Sequence, residues 1–173
     1  SANDLRDRDL LSIPLDSPHA VTIPCAVDAF CKLSEDWGTL GLDTILQPAI
    51  HYATHGVPVA ERVAYDLAEL TDKLNSAGKE FYLPWGRAPK VGESFAHPGQ
   101  VKVLKEIAKY GRDGFYSGEV AEDMVNSLQK LGGVHTMDDF LSMEAFYTNP
   151  ISDNFSKFEL VEHPPNGQGA TAI

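Results

Sequence analysis

With 173 residues, 43% of them hydrophobic and 23% charged, the chain is long enough to bury a real core and is compositionally neither disordered nor fibrous. Its 14 Lys and Arg against 25 Asp and Glu leave a formal net charge of -11. Such a surface, with no offsetting basic run, repels phosphate backbones and anionic lipid, so neither nucleic acid nor a membrane is expected as a partner.

Residues 1–18 are polar, charged and interrupted by Pro14 and Pro18, and read as an irregular lead-in. His19 to Ile23 alternates and is β-branched, which predicts a short strand stopping at Pro24. A helix is predicted from Ala26 to Asp36, with Val27, Phe30 and Cys31 on one face and Gly38 beyond its end. Ile45, Leu46, Ala49, Ile50 and Ala53 recur at helical spacing, with Asp43 before them and Gly56 after them. Pro48 inside that pattern should kink or divide the helix.

Pro58 fits a first helical turn, followed by an apolar stripe of Val59, Val63, Leu67, Leu70 and Leu74 that ends near Asn75 to Gly78. From Leu83 to Gly99 the Pro and Gly content predicts a long loop pinned to the core by Trp85 and Phe95. Three shorter helices follow. The first carries Val101, Leu104 and Ile107 to Gly111, and the second Val120, Met124, Val125, Leu128 and Leu131 to Gly132-Gly133. The third starts at the capping pattern Thr136…Asp139. Ala145 to Ser152 and Phe155 to His163 read as the strands of a hairpin separated by Asp153-Asn154. The fold class is therefore mainly α with a few β-strands (α+β), a helical block over 24–143 and C-terminal strands over 145–163.

Chemistry is harder to find. There is no Gly-rich phosphate loop, paired CxxC, HExxH or GxSxG. Cys25 and Cys31 fall on different faces of one helix and read as plain thiols. His51 and His55 have the spacing of two metal ligands, but no third ligand is evident and they read as solvent-facing, so no metal or cofactor is expected. Glu119, Glu122 and Asp123 open a helix, where its dipole favours negative charge, and Asp138-Asp139 reads the same way. Arg87 can bind a carboxylate or fix its own loop. The amides of Gly167 and Gly169 can line a pocket wall or simply form a tight turn.

Taken in order, several segments resemble the gamma-glutamyltranspeptidase (gamma-glutamyltransferase) family. They are Val21-Thr22-Ile23-Pro24-Cys25-Ala26-Val27-Asp28-Ala29-Phe30, Leu46-Gln47-Pro48-Ala49-Ile50-His51-Tyr52-Ala53 with Gly56, and Gly86-Arg87-Ala88-Pro89 with Gly92-Glu93. Ile107-Ala108 with Gly111, Phe115-Tyr116-Ser117-Gly118-Glu119, Gly132-Gly133 with Thr136, Pro150-Ile151-Ser152 and Pro164-Pro165-Asn166-Gly167-Gln168-Gly169 follow. Each is weak alone; order and spacing make the likeness, which covers residues 19–173.

The resemblance implies an N-terminal-nucleophile hydrolase with an αββα fold, in which a precursor cleaves itself into large and small subunits. A threonine freed at the small subunit's N-terminus attacks the γ-glutamyl amide, and water or an acceptor amine takes the acyl group. It places this chain as a partial large-subunit domain with the nucleophile downstream, so no catalytic residue is expected here. Thr54-His55 ends a helix, a context that does not match the family's Thr-Thr-His before a strand. The partners implied are the rest of the large subunit and the small subunit, with a homodimer through exposed strand edges as another outcome.

The compartment stays open between periplasmic or secreted and cytoplasmic. Two departures stand out: Cys25 replaces a glycine of the family's Val-Pro-Gly, and the Asn166–Gly169 tail lacks the serine-rich form of some members. A different class of function, a free-standing acidic helical module that binds another protein, fits the composition equally well.

Overall fold

A computed structural model describes residues 5–6, 12–14 and 16–173. The expected lead-in of residues 1–18 lies in large part outside the described residues. It is followed by a 3-10 turn at Pro18–Ala20 where a strand was expected. The Ser17 side chain accepts from the His19 N–H, and the Val21 N–H returns to the Pro18 carbonyl. These local bonds satisfy the backbone that a strand would have offered to a neighbour.

Helix α1 spans Ala26–Trp37, close to the expected bounds, but Phe30, expected on one face with Val27 and Cys31, is exposed while those two pack at the core. Pro48 divides the next helical stretch as predicted, into α2 (Leu42–Ile45) and α3 (Gln47–His55), and falls in the first turn of α3, where its missing N–H costs nothing. Gly56 ends α3 with φ 85° and packs against Ser94 and Phe95, a position that suits only a residue without a side chain.

Pro58 does not begin a helix. It lies in β1 (Val57–Pro58), which pairs antiparallel with β2 (Ser94–Phe95), Val57 opposite Phe95. Helix α4 runs Glu61–Leu70 and yields to a 3-10 turn at Thr71–Lys73. The Asn75–Gly78 segment, read as a stop, is a start: the Asn75 side chain accepts from the Gly78 N–H at 2.8 Å and caps α5 (Ser76–Tyr82). Trp85 does not pin the following loop to the core; it is exposed, while Phe95 packs edge-on to Phe81.

Helix α6 (Pro98–Tyr110), the single turn α7 (Asp113–Tyr116), α8 (Gly118–Lys130) and α9 (Met137–Leu141) follow. The capping box at Thr136 and Asp139 is formed in full. The main core lies here: Cys31 of α1 packs with Ile107, Phe115, Tyr116, Val120, Val125 and Phe140. Each large apolar side chain buried in this way contributes about 1.5–3 kcal/mol.

Residues up to Met143 form one compact unit and Glu144–Ile173 a second. The second holds the hairpin β3 (Ile151–Phe155) and β4 (Phe158–Glu162), then a short helix α10 (Gly169–Ala172). Its turn is Ser156-Lys157, with Ser156 at φ 58°. Asp153 and Asn154, expected to form the turn, pair inside the ladder with Leu160 and Glu159. The architecture is mainly α with few strands, as the sequence indicates.

Candidate functional site

Among the described residues, one interconnected polar group joins α1, the start of α7 and the end of α9. Asp28, only 6% exposed, sits in the first turn of α1, where the helix turns its apolar face inward. Arg112, at the entry to α7, brings Nε to 2.9 Å from Asp28 Oδ1 and donates from Nη2 to the carbonyls of Leu141 (2.9 Å) and Met143 (2.5 Å). Its guanidinium lies 5.0 Å from the centre of the fully buried Tyr116 ring. The Tyr116 hydroxyl accepts from the Asp28 N–H at 3.1 Å and donates to the Pro24 carbonyl at 2.7 Å. Burial pushes the Tyr116 hydroxyl and the neighbouring Cys31 thiol upward in pKa, and the Asp28 charge reinforces the shift at Cys31.

Chemically, this is a clamp. An Arg that satisfies a buried carboxylate and two carbonyls has committed three of its five donors to the protein. None of its members was read as a site residue from the sequence, although one signal was present: Asp28 lies on the same helical face as Cys31, and a charge on a core-facing stripe requires a buried partner.

The residues that were singled out are scattered. Arg87 forms a two-bond pair with Glu93, at 2.9 and 2.7 Å, and also donates to the Ala88 carbonyl, so it fixes its own loop. The guanidinium, together with the Lys90 N–H, holds the Glu93 carboxyl down to about 2. Glu119 pairs with Lys102 at 2.6 Å across the α6–α8 groove, an open depression also bordered by Glu122 and Asp123. Cys25 is exposed with an ordinary φ of -100°, so replacing the family's glycine leaves no strained backbone. Its thiol donates to the Ile23 carbonyl at 3.2 Å.

Thr54 donates its hydroxyl to the Ile50 carbonyl at 2.7 Å, inside α3. His51 and His55 are exposed on the same helix with ring centres 4.4 Å apart. Among the described residues no group of three or more His, Cys, Asp or Glu is placed to hold a metal ion. None of the described helices is long and apolar enough to cross a membrane. Gly167 is exposed and would bring a β-carbon only to 4.0 Å from the Pro164 carbonyl, whereas Gly169 abuts Glu162 and His163 with no room for a side chain.

The family model described as gamma-glutamyltranspeptidase matches residues 1–173. Among curated relatives, the glutathione hydrolase-like YwrD proenzyme of Bacillus subtilis (strain 168) is 31% identical over 156 residues, covering 89% of this chain and 30% of that protein. Among solved structures, cephalosporin acylase from Bacillus halodurans superposes with a TM-score of 0.92 at 30% identity, over 99% of this chain and 34% of that one. Helicobacter pylori gamma-glutamyltranspeptidase superposes with a TM-score of 0.83 at 26% identity, over 88% of this chain and 44% of that one. The chain thus spans less than a third of the length of the curated relatives it matches.

Proposed function

The chain belongs to the gamma-glutamyltranspeptidase family, and from that premise we propose that it is a scaffold segment of a larger enzyme that transfers or hydrolyses γ-glutamyl groups of glutathione-type donors. The observation that carries this reading is the second apolar face of α1. Cys31 and Asp28 are buried on one side, while Phe30 (63% exposed), Leu33, Trp37 (77%) and, just beyond the helix, Leu40 are uncovered. A helix at a finished surface turns polar residues outward, and an apolar stripe in that place fits packing against further chain.

The hairpin supports the same reading. Phe155, Phe158 and Val161 are exposed, and a two-stranded ribbon is marginal until other strands or helices cover it. In this reading the partners are the rest of the large subunit and the small subunit, within the αββα architecture of N-terminal-nucleophile hydrolases. The turn before α10 adds to a pocket wall, with Gly167 as its open position and Gly169 as its close-packed base.

The nucleophile comes from outside this segment. A threonine at the new N-terminus of a self-cleaved precursor adds its hydroxyl oxygen to the γ-glutamyl carbonyl carbon, and its own α-amine takes the proton. The donor's amine leaves with a proton, and water or an acceptor amine releases the glutamyl group from the ester.

The test is a side-by-side assay of the isolated chain and the full-length gene product for release of a chromogenic amine from a γ-glutamyl anilide. Activity confined to the self-cleaved full-length product is the expected result. Turnover by the isolated chain would overturn the scaffold role, and inactivity of both would remove the γ-glutamyl substrate class. Isolated, the chain should self-associate through its strand edges and the α1 stripe; a monodisperse monomer would favour the free-standing module.

A further inference from the structure

We propose that His51 and His55 together form a two-imidazole surface site for a divalent transition-metal ion that favours right-angle nitrogen ligands, copper(II) ahead of nickel(II). The site does not depend on the enzymatic reading above, because it uses only the exposed face of α3.

Three features support it. First, residues four apart share one helix face, and both imidazoles are exposed there with ring centres 4.4 Å apart and planes tilted by 35°. Second, His55 Nδ1 lies 2.9 Å from the His51 carbonyl oxygen. A carbonyl only accepts, so that contact places the proton on Nδ1 and leaves the lone pair on Nε2, the arrangement in which a backbone carbonyl orients a metal-ligating histidine. The edge of Tyr52, 5.6 Å from the His51 ring, flanks the other imidazole.

Third, the spacing is compatible with one shared ion. With a metal–nitrogen bond of about 2.0–2.1 Å, an imidazole centre stands about 3.2 Å from the ion. Two such rings at a right angle have centres about 4.5 Å apart, and at the tetrahedral angle about 5.2 Å. The observed 4.4 Å is short enough for both rings to reach one ion at the right angle that copper(II) and nickel(II) prefer with nitrogen and oxygen ligands. The sequence argued against a metal because no third protein ligand was evident. In tetragonal coordination water completes the plane, and the chain's net charge of -11 raises the local cation concentration.

The experiment is a calorimetric titration of the untagged chain with copper(II) and, separately, nickel(II) and zinc(II) chlorides in a non-coordinating buffer. Binding of one equivalent is expected, copper(II) tighter than nickel(II) and zinc(II), weakened about tenfold or more by His51→Ala and by His55→Ala. His163→Ala, in the second compact unit, should leave it unchanged. Electron paramagnetic resonance of the copper complex should report two equatorial imidazole nitrogens, reduced to one in either variant. Far-UV circular dichroism verifies that α3 survives, and His55→Gln serves as a second variant. The absence of saturable binding, or affinity that persists in both single variants, would overturn the site.

Discussion

Arg112 Nε stands 2.9 Å from Asp28 Oδ1, and the same guanidinium holds the carbonyls of Leu141, the last residue of α9, and of Met143 just beyond it. One side chain thus ties the start of α1 to the end of the helical unit. Truncating it leaves a buried carboxylate and two carbonyls without those donors. Loss of one partner from a fully buried ion pair costs about 3–5 kcal/mol; because Arg112 remains 31% exposed, Arg112→Ala should cost about 2–4 kcal/mol. Urea denaturation followed by circular dichroism measures it, and a cost below about 1 kcal/mol would contradict the clamp.

Tyr116→Phe isolates the hydroxyl. The ring still fills its cavity, but the Asp28 N–H and the Pro24 carbonyl both lose a partner. The expected cost is about 1–3 kcal/mol, with little change in the denaturant slope.

Gly114 sets how closely α7 approaches α6. A β-carbon there would overlap the backbone carbonyl of Glu106, which cannot move without bending α6. Gly114→Ala should therefore destabilise by about 1–3 kcal/mol even though alanine is the better helix former. A thermal melt equal to or above that of the parent would refute the close approach.

Glu93 should make its loop acid-sensitive. Its carboxyl titrates at about 2 in the folded chain against an ordinary 4.5, so the pair with Arg87 is fully present above about 4.5 and is lost as pH falls towards 2. Both side chains are partly exposed, so global stability should change little. The readout is local: a carboxyl-carbon NMR titration of Glu93, with Arg87→Gln moving it part of the way back towards the ordinary range, because the Lys90 N–H bond remains.

His97 should act in a higher pH range. Its ring packs against that of Phe81, centres 4.2 Å apart and planes tilted by 58°, near Phe95 and Tyr82, and its buried Nδ1 has no hydrogen-bond partner. Burial lowers its pKa from 6.5, so below that value the unfolded chain binds a proton that the folded one refuses. Stability is therefore whole above pH 6.5 and declines as pH drops through the interval down to the folded-state value. Comparing denaturation midpoints above and below that value in the parent and in His97→Phe should show a smaller acid loss in the variant.

Periodicity carried the helices well where apolar residues recur on one face and a glycine follows, as in α6 and α8. It failed where local side chains decided the outcome. Ser17 turned an apparent strand into a 3-10 turn, and Asn75 began a helix where a stop was expected. The hairpin was visible, but its turn was not, because Ser156 adopts a left-handed conformation for which Asn154 is the commoner choice. The clamp of Asp28, Arg112 and Tyr116 joins segments far apart in the chain, and pairing of that kind has no periodic trace. The likeness to a known family, by contrast, rested on many weak segments in one order, and that order is what the whole-chain match also reflects.

The short ladder of β1 and β2 closes residues 59–93 into a cassette. Its two ends meet at Val57 and Phe95, with Val59 bonded to Glu93 and to Gly92 just inside. A segment whose entry and exit are neighbours can lengthen, shorten or be exchanged without shifting the register of what lies on either side. Divergence among relatives should therefore include changes in length more readily in this stretch than in α6 to α8, whose residues form the main core.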